Sequence, residues 1–187
     1  IEGLEALKRI LKMTLPNDIK IRLLSSLVLL SVTIFSLIRG GIYFKGFLII
    51  VSLFMIFEWM RLISKNFWII RGLIASTGLV IILMIDYVNS LSIITFFLSF
   101  LFLTIFSKLT IKEYKMSSFG FIYISLSIIT INWLRDLDQG LLSLIIILST
   151  IFVSDITAYI FGSLFGGPKL FKVISPNKTL SGFIAAL

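Results

Sequence analysis

Asp155, Lys169, Lys172 and Lys178 are the charged residues of one window, Ser154 to Gly182, where glycine, proline and hydroxyl side chains gather beside a membrane-length apolar segment. A carboxylate at the end of an apolar run is costly to bury in a bilayer, so Asp155 requires a cation, a water-filled cavity or a hydrogen-bonded partner. As chemistry, it suits an oxygen ligand for Mg²⁺, a hard cation that takes one or two carboxylates, keeps several waters and is completed by substrate phosphates. The lysines supply the opposite charge. Lys178, with Ser175, Pro176 and Thr179, forms a phosphate-seeking element, and a helix beginning after Pro176 would add free amides and a positive dipole end. Lys169 and Lys172 are secondary candidates for phosphate and are equally suited to anionic lipid head groups. Ser154 and Tyr159 place hydroxyls beside Asp155, within reach of the same cavity. Two other accounts stay open: Asp155 as a helix cap or surface carboxylate, and Lys178 as a lysine of a cytoplasmic loop with no ligand.

The rest of the composition narrows the chemistry. The chain has no cysteine and no histidine, which excludes disulfide frameworks, thiol nucleophiles, imidazole acid–base schemes and His or Cys metal sites. Carboxylates, lysines, arginines and hydroxyls remain. A mean hydropathy of +1.11 with 18 Phe is more apolar surface than one soluble core of 187 residues can hide, so the chain is expected to be an all-α, polytopic integral membrane protein.

A span needs about 20 apolar residues. Six candidates meet this, at about Leu23 to Ile38, Ile42 to Met60, Trp68 to Ile85, Leu91 to Phe106, Ser117 to Trp133 and Leu141 to Tyr159, with the start of a seventh near Leu180. The whole of 1–187 reads as a single transmembrane domain. Its 17 basic residues alternate by side, fourteen falling with the N-terminus and its equivalent loops and three in the others. By the positive-inside rule, the N-terminus and the Lys169 to Lys178 loop are cytoplasmic. Residues 1–22 read as a cytoplasmic amphipathic segment with no cleavage site, and 154–182 as a motif on the same side. The net charge of +8 is spread over short loops and forms no continuous face for nucleic acid. Glu58 and Arg61 share a helix face and read as a structural ion pair, whereas Asp86, Arg135, Asp136 and Asp138 read as solvated loop charges. Trp59 is taken as an interfacial or packing aromatic.

The order Ser154-Asp155, Ala158-Tyr159, Phe161-Gly162 and Ser175-Pro176-x-Lys178-Thr179 resembles the phosphatidate cytidylyltransferases, integral membrane enzymes that make CDP-diacylglycerol from CTP and phosphatidic acid. Lys20-Ile21-Arg22-Leu23 is similar to the family's basic start, and Glu58-Trp59 to its Glu-Trp pair in the second span. The resemblance implies a nucleotidyl transfer in phospholipid biosynthesis. It also implies Mg²⁺ as cofactor, CTP, phosphatidic acid and membrane lipid as partners, and a cell inner membrane as location. Departures are present: Ser163 and Gly167 stand where basic residues are common, Leu180-Ser181 where Trp-Glu or Trp-Gln is usual, and Lys172-Val173 is displaced from the usual Pro-Lys. The family's histidine-containing C-terminal signature, which holds further metal ligands, lies outside these 187 residues. The expectation is therefore a truncated or split form, inactive alone and completed by a separate C-terminal fragment or by a homo-oligomer. An inactive remnant and a small membrane carrier are the alternatives.

Overall fold

The computed structural model describes residues 17–85, 89–171 and 175–186. Six long helices follow one another: α1 (Asn17–Arg39), α2 (Gly41–Ile63), α3 (Trp68–Ile85), α4 (Ser90–Thr110), α5 (Tyr114–Asp136) and α6 (Gly140–Phe165). A two-stranded hairpin of β1 (Lys169–Phe171) and β2 (Ser175–Thr179) then leads into a short helix, α7 (Leu180–Ala186). Helices α2 to α6 are each long and apolar enough to cross a membrane, and α1 contributes a shorter apolar stretch, Leu24–Arg39. Lipid offers no partner to a backbone N–H or C=O, and a helix satisfies both internally. The chain is a multi-pass membrane protein.

Helices α2, α3, α4 and α5 make the core, where Ile56, Met60, Leu79, Leu103 and Phe121 are fully buried. Apolar side chains gain little by leaving lipid for protein, so close packing over small residues has to hold the helices together. Gly120 of α5 shows this directly: a Cβ there would lie 1.8 Å from the Trp59 indole nitrogen, so only glycine lets the α2 ring sit against α5. The same indole N–H donates to the Met116 carbonyl at 3.0 Å, which makes Trp59 a packing residue with its polar atom satisfied. Phe121 continues the interface by stacking on Phe96 of α4, with ring centroids 5.0 Å apart.

Two arginines behave differently from the sequence expectation. Arg135 is not a solvated loop charge: its Nε donates to the Leu37 carbonyl at 2.9 Å and its Nη2 to Ile38 at 3.3 Å. These are among the last carbonyls of α1, which have no partner within their own helix. Arg71, one of the fourteen basic residues placed above on the N-terminal side, lies one turn inside α3 and is fully buried. It donates to Ser117 Oγ at 2.9 Å and to the carbonyls of Met60 at 3.1 Å, Ser64 at 2.5 Å and Asn66 at 3.0 Å. The guanidinium thus caps α2, holds the α2–α3 turn and joins both to α5. The expected Glu58–Arg61 ion pair does not form among the described residues: Glu58 is exposed, and Arg61 lies 6.0 Å over the Trp68 ring. A cation–π contact desolvates the guanidinium less than a buried pair would.

Candidate functional site

Helix α6 stands apart from the core and buries only Gly140 and Leu144. Its last residues meet α7, which runs back along it. Gly166 (φ 60°) and Gly167 (φ 106°) end α6 in a backbone conformation that side-chain-bearing residues rarely adopt, and so turn the chain toward the hairpin. In the hairpin Lys169 pairs with Thr179 and Phe171 with Ser175, antiparallel. The Leu180 N–H donates to the Pro168 carbonyl at 3.0 Å and fixes where α7 departs. The crossing is close because its residues are small: a Cβ on Gly182 would lie 2.6 Å from the Ala158 carbonyl, and one on Gly162 would lie 3.0 Å from Thr179 Oγ1.

Between α6 and α7 lies a cleft of about 620 Å³, lined by Asp155, Tyr159 and Ser163 on one side and by Lys178, Thr179 and Phe183 on the other. Among the described residues Asp155 has no hydrogen bond or ion pair, and its side chain is exposed. Lys178 is likewise exposed. Thr179 touches the level of Gly162, so Asp155 lies roughly 10 Å deeper along α6, from the rise of about 1.5 Å per residue. The two charges therefore share a cleft without pairing, one at its floor and the other at its hairpin end. An unpaired carboxylate facing an unpaired ammonium across such a distance can bind a ligand that is itself polyanionic at one end and chelates a cation at the other.

The remaining sequence candidates are placed as follows. Ser154 turns away from the cleft and donates to the Ala186 carbonyl at 2.8 Å. Lys169 begins β1 and lies outside the cleft lining, and Ser175 begins β2. Lys172 lies outside the described residues, as do residues 1–16 and Asp86. The helix expected directly after Pro176 is a strand instead, and helix begins only at Leu180. β1 pairs with this segment antiparallel and holds it extended as far as Thr179. The first turn of α7 is also occupied: Thr179 Oγ1 accepts from the Gly182 N–H at 3.3 Å. Ser181 donates to the Gly166 carbonyl. The amides of Leu180 and Gly182 are thus taken up within the protein.

Sequence reasoning missed the close crossing of Ala158 and Gly162 with Gly182. Its signal was available, since Ala158-x-x-x-Gly162 puts two small residues on one helix face. For Mg²⁺ the donor set can be judged from the residues present. No group of three or more acidic or imidazole or thiol side chains occurs among the described residues, but one unpaired carboxylate suits an ion that relies on waters and substrate phosphates for its other ligands.

Comparison with known proteins gives a consistent result. Residues 20–187 match the family model described as the cytidylyltransferase family. The chain is 28% identical over 178 residues to the phosphatidate cytidylyltransferase of Staphylococcus aureus (strain COL), covering 90% of this chain and 67% of the relative. It is 27% identical over 175 residues to that of Staphylococcus saprophyticus and 26% identical over 178 residues to that of Staphylococcus epidermidis, with the same coverage. No solved structure matches significantly.

Proposed function

The chain belongs to the cytidylyltransferase family, and on that premise we propose that it is an enzyme of phospholipid biosynthesis, transferring the cytidylyl group of CTP to phosphatidic acid. A phosphate oxygen of phosphatidic acid forms a bond to the α-phosphorus of CTP. The bridging P–O bond between the α and β phosphates breaks, and its electron pair leaves with pyrophosphate. The nucleophile is already an anion near neutral pH, so the reaction needs no general base, which suits a chain without histidine or cysteine. What remains for the protein is positioning and charge neutralisation. The observation that carries the reading is the single cleft holding Asp155 and Lys178 unpaired.

In this cleft Lys178 takes up negative charge of the triphosphate, and Tyr159 offers a phenolic hydroxyl beside the floor. Asp155 is the residue that would hold Mg²⁺, which when bound supplies charge neutralisation on the phosphates. Further oxygen ligands are proposed to come from a partner, either a separate C-terminal segment or a second copy of the chain. The reading is tested by CTP-dependent formation of CDP-diacylglycerol in mixed micelles by the purified protein supplied with the C-terminal segment of a relative as a separate chain.

The proposed location is a cell inner membrane with the hairpin and the N-terminal side in the cytoplasm. Support comes from the fourteen-to-three division of basic residues. A cysteine introduced at Asn177 has no native competitor for labelling. It is expected to resist a membrane-impermeant maleimide in intact cells and to react once the membrane is opened. Full labelling from outside would overturn the orientation.

A further inference from the structure

Two hydroxyls next in sequence to the two charged cleft residues are engaged with the protein itself. Ser154, beside Asp155, is half-buried and donates to the Ala186 carbonyl at 2.8 Å, tying the end of α7 to α6. Thr179, beside Lys178, accepts from the Gly182 N–H at 3.3 Å and shares a hydrogen bond of 3.1 Å with Ser181 Oγ. Its Oγ1 also rests against Gly162, and Ser181 reaches across to the Gly166 carbonyl at the end of α6. Between these ends Gly182 seats against Ala158 with no room for a side chain. Helix α7 is therefore fastened to α6 at the floor of the cleft and again at its hairpin end.

We propose that Ser154 and Thr179 are positioning residues, which close α7 onto α6 at its two ends and so set the separation of the Asp155 carboxylate from the Lys178 ammonium. This rests on the reading of the cleft as the substrate site. It replaces direct phosphate contact by these two hydroxyls, because a phosphate oxygen needs a donor and the Ser154 proton is given to Ala186 and that of Thr179 to Ser181, whose own proton goes to Gly166. A misplacement of about 1 Å between groups that must act together can cost on the order of 10²-fold in rate. Each clasp has its charge as the next residue, so loosening either end moves that charge first.

The test compares Ser154→Ala and Thr179→Val, which delete the hydroxyls, with Ser154→Thr and Thr179→Ser, which keep them. Nitroxides at Ile184 on α7 and Ile145 on α6, roughly 16 Å apart along the axis from the helical rise, report the crossing by pulsed electron resonance. The expected result is a fall in kcat of about tenfold or more with KM for CTP and phosphatidic acid within about twofold, together with a broadened spin–spin distance distribution. The hydroxyl-keeping variants restore both. A rise in KM with an unchanged distribution would mean that these hydroxyls touch substrate, and the proposal falls. An unchanged distribution in both deletion variants overturns the clasp whatever the activity. A parent protein without cytidylyl transfer, but with the same broadening, overturns the assigned reaction and leaves the clasp standing.

Discussion

Asp155→Asn is expected to lower CTP-dependent lipid labelling by about 10²-fold or more, with the folded yield of the protein unchanged. The substitution keeps the shape of the side chain and removes its charge. Asparagine retains one carbonyl oxygen as a ligand, but a divalent cation bound through a neutral amide loses the unit charge that opposes it at short range. No second carboxylate lines the cleft among the described residues, so none is placed to substitute. Removing one preorganised electrostatic group commonly costs 10²- to 10³-fold in kcat. Stability is a separate matter here, because Asp155 makes no bond that the fold relies on. Asp136→Asn is the matched control. That carboxylate meets Asn132 Nδ2 at 3.5 Å on α5 and should leave the rate within about twofold. Retention of a third or more of the parent rate by Asp155→Asn would remove this residue from the mechanism.

The largest effect on stability is expected at Arg71. Arg71→Met keeps much of the volume and deletes every donor, leaving the buried Ser117 hydroxyl and Met60 carbonyl, and the partly buried carbonyls of Ser64 and Asn66, without this partner. Each buried polar group left unsatisfied costs roughly 1 to 3 kcal/mol, so a total loss of about 3 kcal/mol or more is expected. Arg71→Lys should rescue little, since one ammonium cannot reproduce a planar fork that reaches three segments at once. The measurement is the thermal unfolding midpoint in detergent, read beside the yield of monodisperse protein. An Arg71→Met midpoint equal to that of the parent would show that the guanidinium is not what fastens α2, α3 and α5.

The spans were legible because bilayer thickness demands long apolar runs, and Trp68 to Ile85 agrees with α3 at both ends. The other helices continue past their apolar runs, as α4 does through Ser107 and Thr110, because backbone hydrogen bonding carries on where hydropathy falls. The hairpin was not legible. Lys169–Phe171 and Ser175–Thr179 lack the alternation that marks a strand, and Pro176 argues against one. The role of Arg71 was not legible because hydropathy cannot distinguish an arginine at a span's edge from one that caps another helix. Ser154 and Thr179 stand out in the sequence by type, yet their directions depend on where α7 lies, and only the α6–α7 crossing determines that. Asp155 and Lys178 could be paired as chemistry from the sequence, whereas their common cleft follows from the same crossing.

The central claim is that this chain's protein transfers the cytidylyl group, not a terminal phosphate, to phosphatidic acid. Purified protein, supplied with the C-terminal segment of a relative as a separate chain, is placed in mixed micelles with phosphatidic acid and given CTP labelled with ³²P at the α position in one reaction and at the γ position in another. The account predicts that α label enters the lipid fraction as CDP-diacylglycerol while γ label leaves as pyrophosphate and never enters lipid. Transfer of γ label to lipid, or no lipid labelling from either nucleotide, would contradict it.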